Sequence, residues 1–127
     1  MTSRTVRIVV PAEAGHMPLL RTAVAGVAAR HGFTLEEMDD LRMGVEEAAV
    51  LLLRQSNGEP ITLELELLDE RIDAAVSTLT SGEEPAVDPE SFSWRILSSL
   101  ADQVHTEHDG DLARIVLTKH PTQSLSA

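Results

Sequence analysis

Glu46 and Glu47 stand side by side in the stretch MDDLRMGVEEAAVLLLRQ, Met38 to Gln55, and Glu47 is the side chain best placed to do chemistry. A carboxylate on a helix serves as a general base only where a metal ion or a phosphate grip holds the group to be activated. The position four residues on shares its helix face. It is Leu51, a hydrocarbon side chain. The competing reading of Glu46 and Glu47 is a polar helix face and nothing more. The histidines suggest no metal site. His105 and His108 differ by three along a strand and so face opposite ways, while His16, His31 and His120 lie far apart in sequence. No Ser-His-Asp pattern, Walker loop or Cys/His cluster occurs.

The elements that position these residues follow from periodicity. Thr5 to Val10 reads as a strand, with Val6, Ile8 and Val10 on one face. A connector from Pro11 to Pro18 leads to a helix running to about His31, striped by Leu20, Val24, Val27 and Ala28 and stopped by Gly32. Thr34 and Glu37 form a capping box that opens a second helix, which buries Met38, Leu41, Val45, Ala48 and Leu52. Asn57-Gly58 and Pro60 end it. Ile61 to Leu68 alternates cleanly as a half-buried strand, Asp69 to Arg71 turns, and Ile72 to Leu79 returns. A polar loop, Thr80 to Ser91, precedes a third helix at Phe92 to Ala101. A closing hairpin pairs Val104–Glu107 with Leu112–Thr118 across His108-Asp109-Gly110. The expected architecture is an α+β two-layer sandwich, three helices on one face of a mostly antiparallel sheet. Residues 1–120 form one domain and 121–127 a disordered tail.

Composition bounds the function. A chain of 127 residues with 43% hydrophobic content suits one globular domain, whose core is aliphatic because aromatics make up only 2%. The net charge of −11, with Lys119 the sole lysine, argues against direct nucleic-acid binding and suits either a basic protein partner or a charged surface that simply keeps the protein in solution. The absence of cysteine suits a cytoplasmic protein. The longest apolar run, Ala48 to Leu53, is far short of the ~20 residues of a membrane helix, and the N-terminus shows no signal peptide.

Asp40 through Leu52 resembles the D-L-R-L-A-V-[DS]-E-A-x-x-N-A motif of the RsbW/SpoIIAB-type anti-sigma factors, small serine kinases of the GHKL (histidine-kinase-like) ATPase superfamily. The resemblance covers residues 4 to 119, and FSWRILSSLADQVHTEHDG, Phe92 to Gly110, is most similar to the actinobacterial branch. It implies the GHKL fold and a degenerate ATP site. The family's general base falls on Glu47 and its Mg²⁺-chelating asparagine on Leu51. The adenine-reading box falls on Val76 to Gly82, where Thr78 replaces the aspartate, Thr80 replaces the first glycine and only Gly82 remains. The phosphate-loop glycines give way to Ser91-Phe92-Ser93-Trp94. Ahead of them, TSGEEPAVDPES carries four acids, Glu83, Glu84, Asp88 and Glu90, that would repel a triphosphate.

The resemblance further implies partners. Arg21 matches an arginine with which the family contacts both the sigma factor and the anti-anti-sigma antagonist, and Leu20, Val24 and Trp94 complete the expected partner surface. Of the two aromatics Phe92 and Trp94, one is expected in the core and the other is open to a partner. The implied function is that of an anti-sigma factor. It would sequester an alternative, stress- or sporulation-type sigma factor as a homodimer, with lost or weak ATP binding and so no cofactor unless the site still holds Mg-ATP, and release it to an anti-anti-sigma protein. The alternative is an active serine/threonine kinase of the same fold that phosphorylates its antagonist. A third class is a decoy adaptor that binds the antagonist alone.

Overall fold

Residues 61–68 alternate Ile61, Leu63, Leu65 and Leu67 with Thr62, Glu64 and Glu66, so one strand face must be buried and the other wet. A computed structural model of the chain describes residues 4–81 and 87–122. In it this segment is strand β2 (Ile61–Leu68), flanked by β1 (Arg4–Val10) and β3 (Arg71–Leu79). The closing hairpin is β4 (Gln103–Asp109) and β5 (Leu112–Lys119). All neighbours pair antiparallel, in the order β1-β2-β3-β5-β4.

Register carries the buried face across the sheet. Ile8, Leu63, Val76 and Ile115 are successive cross-strand partners, and so are Val6, Leu65, Ala74 and Leu117. Helices α1 (Met17–Ala28), α2 (Leu35–Leu53) and α3 (Phe92–Leu100) accompany the sheet. Helix α2 lies on the sheet and touches β3 and β5 most, while α1 and α3 pack against α2. The opposite sheet face carries Arg7, Glu64, Glu66, Asp73, His105, Glu107 and Arg114, and among the described residues no helix packs over it.

Helix α2 starts where its cap requires. Thr34 Oγ1 accepts from the Glu37 amide at 3.1 Å, and Glu37 Oε1 accepts from the Thr34 amide at 2.9 Å. Its buried stripe is Leu41, Gly44, Val45, Ala48, Ala49 and Leu52. Gly44 permits the close approach to β5. A Cβ there would lie 3.3 Å from Leu117 Cδ1. After the helix, Asn57 (φ 56°) and Gly58 (φ 86°) take the left-handed conformations that turn the chain back toward the sheet.

Three sequence expectations shift. The closing hairpin turns at Gly110-Asp111, because Asp109 still pairs with Leu112 and Gly110 supplies the positive φ of 62°. Helix α1 ends at Ala28, three residues short of His31. The tail does not begin at Pro121: Thr122 is tied to α2, donating its amide (2.8 Å) and hydroxyl to Glu37 Oε2. Residues 123–127 lie outside the described residues. Lys119, the sole lysine, is buried with its ammonium donating to the Leu100 carbonyl at 3.1 Å and to Asp40 at 3.4 Å, which fastens β5 to α2 and to the end of α3.

Candidate functional site

Of the residues singled out in the sequence, Glu47 and Leu51 lie on α2, Thr78 at the end of β3, and Phe92 and Trp94 at the start of α3, and α2 packs against both β3 and α3. Glu47 and Leu51 lie one turn apart on α2, both half-buried. Glu47 has no hydrogen-bond or ion-pair partner among the described residues, whereas Leu51 packs its side chain against the core.

Thr78 stands at the end of β3 and is only 3% exposed. Its hydroxyl donates to the Pro60 carbonyl at 2.9 Å, so its one donor is already committed to the loop that follows α2. Thr80 donates its amide to the Asp111 carbonyl at 2.8 Å. Gly82, with Glu83 and Glu84, lies outside the described residues. Val87 then returns to the core at 3% exposure, in a loop whose next three residues are exposed.

The N-terminus of α3 is closed by its own sequence. The Ser91 amide donates to the Asp88 carbonyl at 3.0 Å and the Glu90 amide to Asp88 Oδ1 at 2.9 Å, an Asp-Pro turn. The Ser91 hydroxyl donates to the Asp88 carbonyl at 2.7 Å and accepts from the Trp94 amide at 3.2 Å. A helix N-terminus holds phosphate through free amides, and here the serine takes one of them.

At the positions where the resemblance places an ATP site, Leu51 offers no oxygen, the Thr78 donor is occupied, and the α3 start is capped by Ser91 and preceded by the exposed acids Asp88 and Glu90. Among the described residues no group of His, Asp and Glu is arranged to hold a metal ion, and no helix is long and apolar enough to cross a membrane.

The expected partner surface needs correction at three positions. Leu20 and Val24 are 0% and 1% exposed. They belong to the stripe with which α1 packs into the core, so a partner cannot touch them while α1 is docked. Trp94 is half-buried against the core, and Phe92 is the exposed aromatic, at 73%. Arg21 stays accessible but is not free. Its guanidinium donates to Glu46 Oε1 at 2.9 Å and ties α1 to α2. Sequence reasoning also missed Glu37 as the anchor of residue 122. Burial alone pushes its carboxyl up, but the hydrogen bonds from Thr122 and Thr34 outweigh that and hold it down at about 2. The capping-box pattern was the only local signal for that residue.

The open sheet face holds a shallow groove of about 340 Å³, lined among others by Glu64, Asp73, His105, Glu107 and Arg114. Its charges answer one another. Glu64 pairs with Arg7 at 3.5 Å and Arg114 at 3.7 Å, and Glu107 pairs with Arg114 at 3.5 Å.

No family model matches the chain. It is 35% identical over 109 residues to the anti-sigma-F factor RsbW of Mycobacterium tuberculosis, covering 84% of this chain and 64% of that protein. The chain thus spans just under two thirds of the mycobacterial relative's length. It is 24% identical over 135 residues to the serine-protein kinase RsbW of Bacillus mycoides, covering 91% of this chain and 84% of that one. Among solved structures, the RsbU and RsbW domains of a Mycobacterium tuberculosis protein superpose with a TM-score of 0.73 at 14% identity, over 92% of this chain and 32% of that one. That superposition carries the fold, and the sequence likeness is to proteins named RsbW, on the helix-and-sheet frame that the motif in α2 implied.

Proposed function

We propose that this protein is an anti-sigma factor that holds an alternative sigma factor away from core RNA polymerase and does so without Mg-ATP. The 35% identity to a protein named anti-sigma-F factor carries the first half of the reading. A chain of net charge −11 suits a partner with basic DNA-binding regions, since complementary charge steers encounter and fixes register. Arg21 is a contact residue in this reading, and the ion pair to Glu46 holds its guanidinium in place on the α1 surface. The partner is a stress- or sporulation-type sigma factor, the protein works as a cytoplasmic homodimer, and an anti-anti-sigma antagonist releases the sigma factor.

The second half rests on Leu51. A hydrocarbon side chain at the metal-ligand position leaves the β- and γ-phosphates without their neutralising ion, and Glu47 then has no held substrate on which to act. Partner choice is accordingly set by antagonist abundance or by a separate kinase. Calorimetry of the purified protein with its sigma factor, in buffer free of nucleotide, tests both halves. Binding at submicromolar Kd is expected, and no binding without Mg-ATP refutes the reading. The second reading, an active kinase, draws on the Bacillus relatives named serine-protein kinase and on the retained Glu47. Transfer of radiolabelled γ-phosphate to the antagonist would establish it.

A further inference from the structure

Phe92 is at odds with its helix. In α3 the core-facing side is set by Leu97, and at about 100° per residue Phe92 points roughly 140° away from it. It shares the outer side with Arg95 and Ser99, all exposed, and at 73% it is the most exposed large hydrophobic side chain among the described residues. This occurs in a protein with three aromatic residues in all.

The residues around Phe92 fix its position from both sides. Val87 is buried just upstream and Leu97 just downstream, with Trp94 packed on the core between them. The Asp88–Ser91 turn and the Ser91 cap link these anchors through hydrogen bonds of 2.7 to 3.2 Å. An aromatic side chain has two rotatable bonds, and on a backbone already ordered it loses little entropy when a partner closes over it. Two exposed acids, Asp88 and Glu90, precede it by four and two residues.

Resting on the anti-sigma reading, we propose that Phe92 is the anchor by which this protein grips its sigma factor, inserted into an apolar pocket rimmed by Lys and Arg that answer Asp88 and Glu90. Fully desolvated aromatics of this kind dominate interface energies. Arg21 on α1 is then a second, separate contact.

The test uses the full chain labelled at its single tryptophan with 5-fluorotryptophan, so that Trp94, two residues from Phe92, gives one ¹⁹F resonance. The labelled protein and its Phe92→Ala and Glu90→Lys variants are titrated with the purified sigma factor. The wild-type resonance is expected to move on binding. Phe92→Ala weakens binding about 30-fold with an unchanged melting temperature. Glu90→Lys slows association and flattens its salt dependence. Wild-type binding that leaves the ¹⁹F signal in place, with Phe92→Ala as tight as wild type, overturns the anchor and leaves the anti-sigma reading standing. Failure of the wild type to bind any sigma factor removes both.

Discussion

Glu37 offers the most demanding test of the structural reasoning. Its carboxylate closes the capping box with Thr34 and receives both the amide and the hydroxyl of Thr122, at 8% exposure. With the folded carboxyl at about 2 against an ordinary 4.5, and about 1.4 kcal/mol per pH unit, the ionised form is favoured by on the order of 3 kcal/mol. Water at the helix end screens part of this, so about 2 kcal/mol is the working figure. The folded value is depressed, so this stabilisation is complete above pH 4.5 and is lost as pH falls towards 2. In Glu37→Gln the amide oxygen still accepts from Thr34, but its NH₂ faces two donors on Thr122. Urea unfolding should therefore show the variant less stable by about 2 kcal/mol at pH 7, with the gap closing steadily below pH 4.5. Thr122→Val, which keeps the amide and removes the hydroxyl, should lose about half as much. A gap that stays constant from pH 7 to pH 2.5, or no gap at pH 7, refutes the account.

Three further outcomes follow from the geometry. Gly44→Ala should fall within about 1 kcal/mol of wild type, because the gain in helix propensity offsets a 3.3 Å approach to Leu117 Cδ1, whereas Gly44→Leu should cost about 2–3 kcal/mol on thermal unfolding. Arg21→Glu sets a second carboxylate against Glu46 and should lower stability by up to about 1 kcal/mol as well as weakening sigma capture. The swap Arg21→Glu with Glu46→Arg should restore the stability and not the capture, and full recovery of capture would remove Arg21 from the interface. Leu51→Asn alone should not confer Mg-ATP binding by calorimetry, because Thr78 and the α3 cap are unchanged. Low-micromolar binding by that variant would show that a single residue closed the site.

Much of the fold is written in local pattern. The alternation in β2, the Thr34–Glu37 box and the Asn57-Gly58 stop each answer to short-range rules, and the structure keeps all three. The partner surface was less legible, because one stripe on an amphipathic helix encodes burial whatever else the helix does. Leu20 and Val24 lie in the packing stripe of α1, and only the neighbouring Arg21 escapes it. Phe92 and Trp94 are two residues apart on a helix, so at most one of them can face the core. Helical spacing from Leu97 identifies the outward one only once the helix start is known to within a residue. The contacts of Glu37 with Thr122 and of Lys119 with Asp40 join residues 85 and 79 positions apart, a separation that no local signal spans.

The seclusion of Lys119 makes the protein its own chemical clock. Its ε-ammonium is the only one in the sequence, and it lies beneath α2, held by the Leu100 carbonyl and Asp40. With the residue 8% exposed, an acylating reagent reaches that nitrogen far more readily once β5 has parted from α2 and α3. The rate at which this one site becomes modified therefore measures how often the sheet lets go of its helices. Following that rate as sigma factor is added gives a direct reading of whether the partner tightens the frame or merely rests on it.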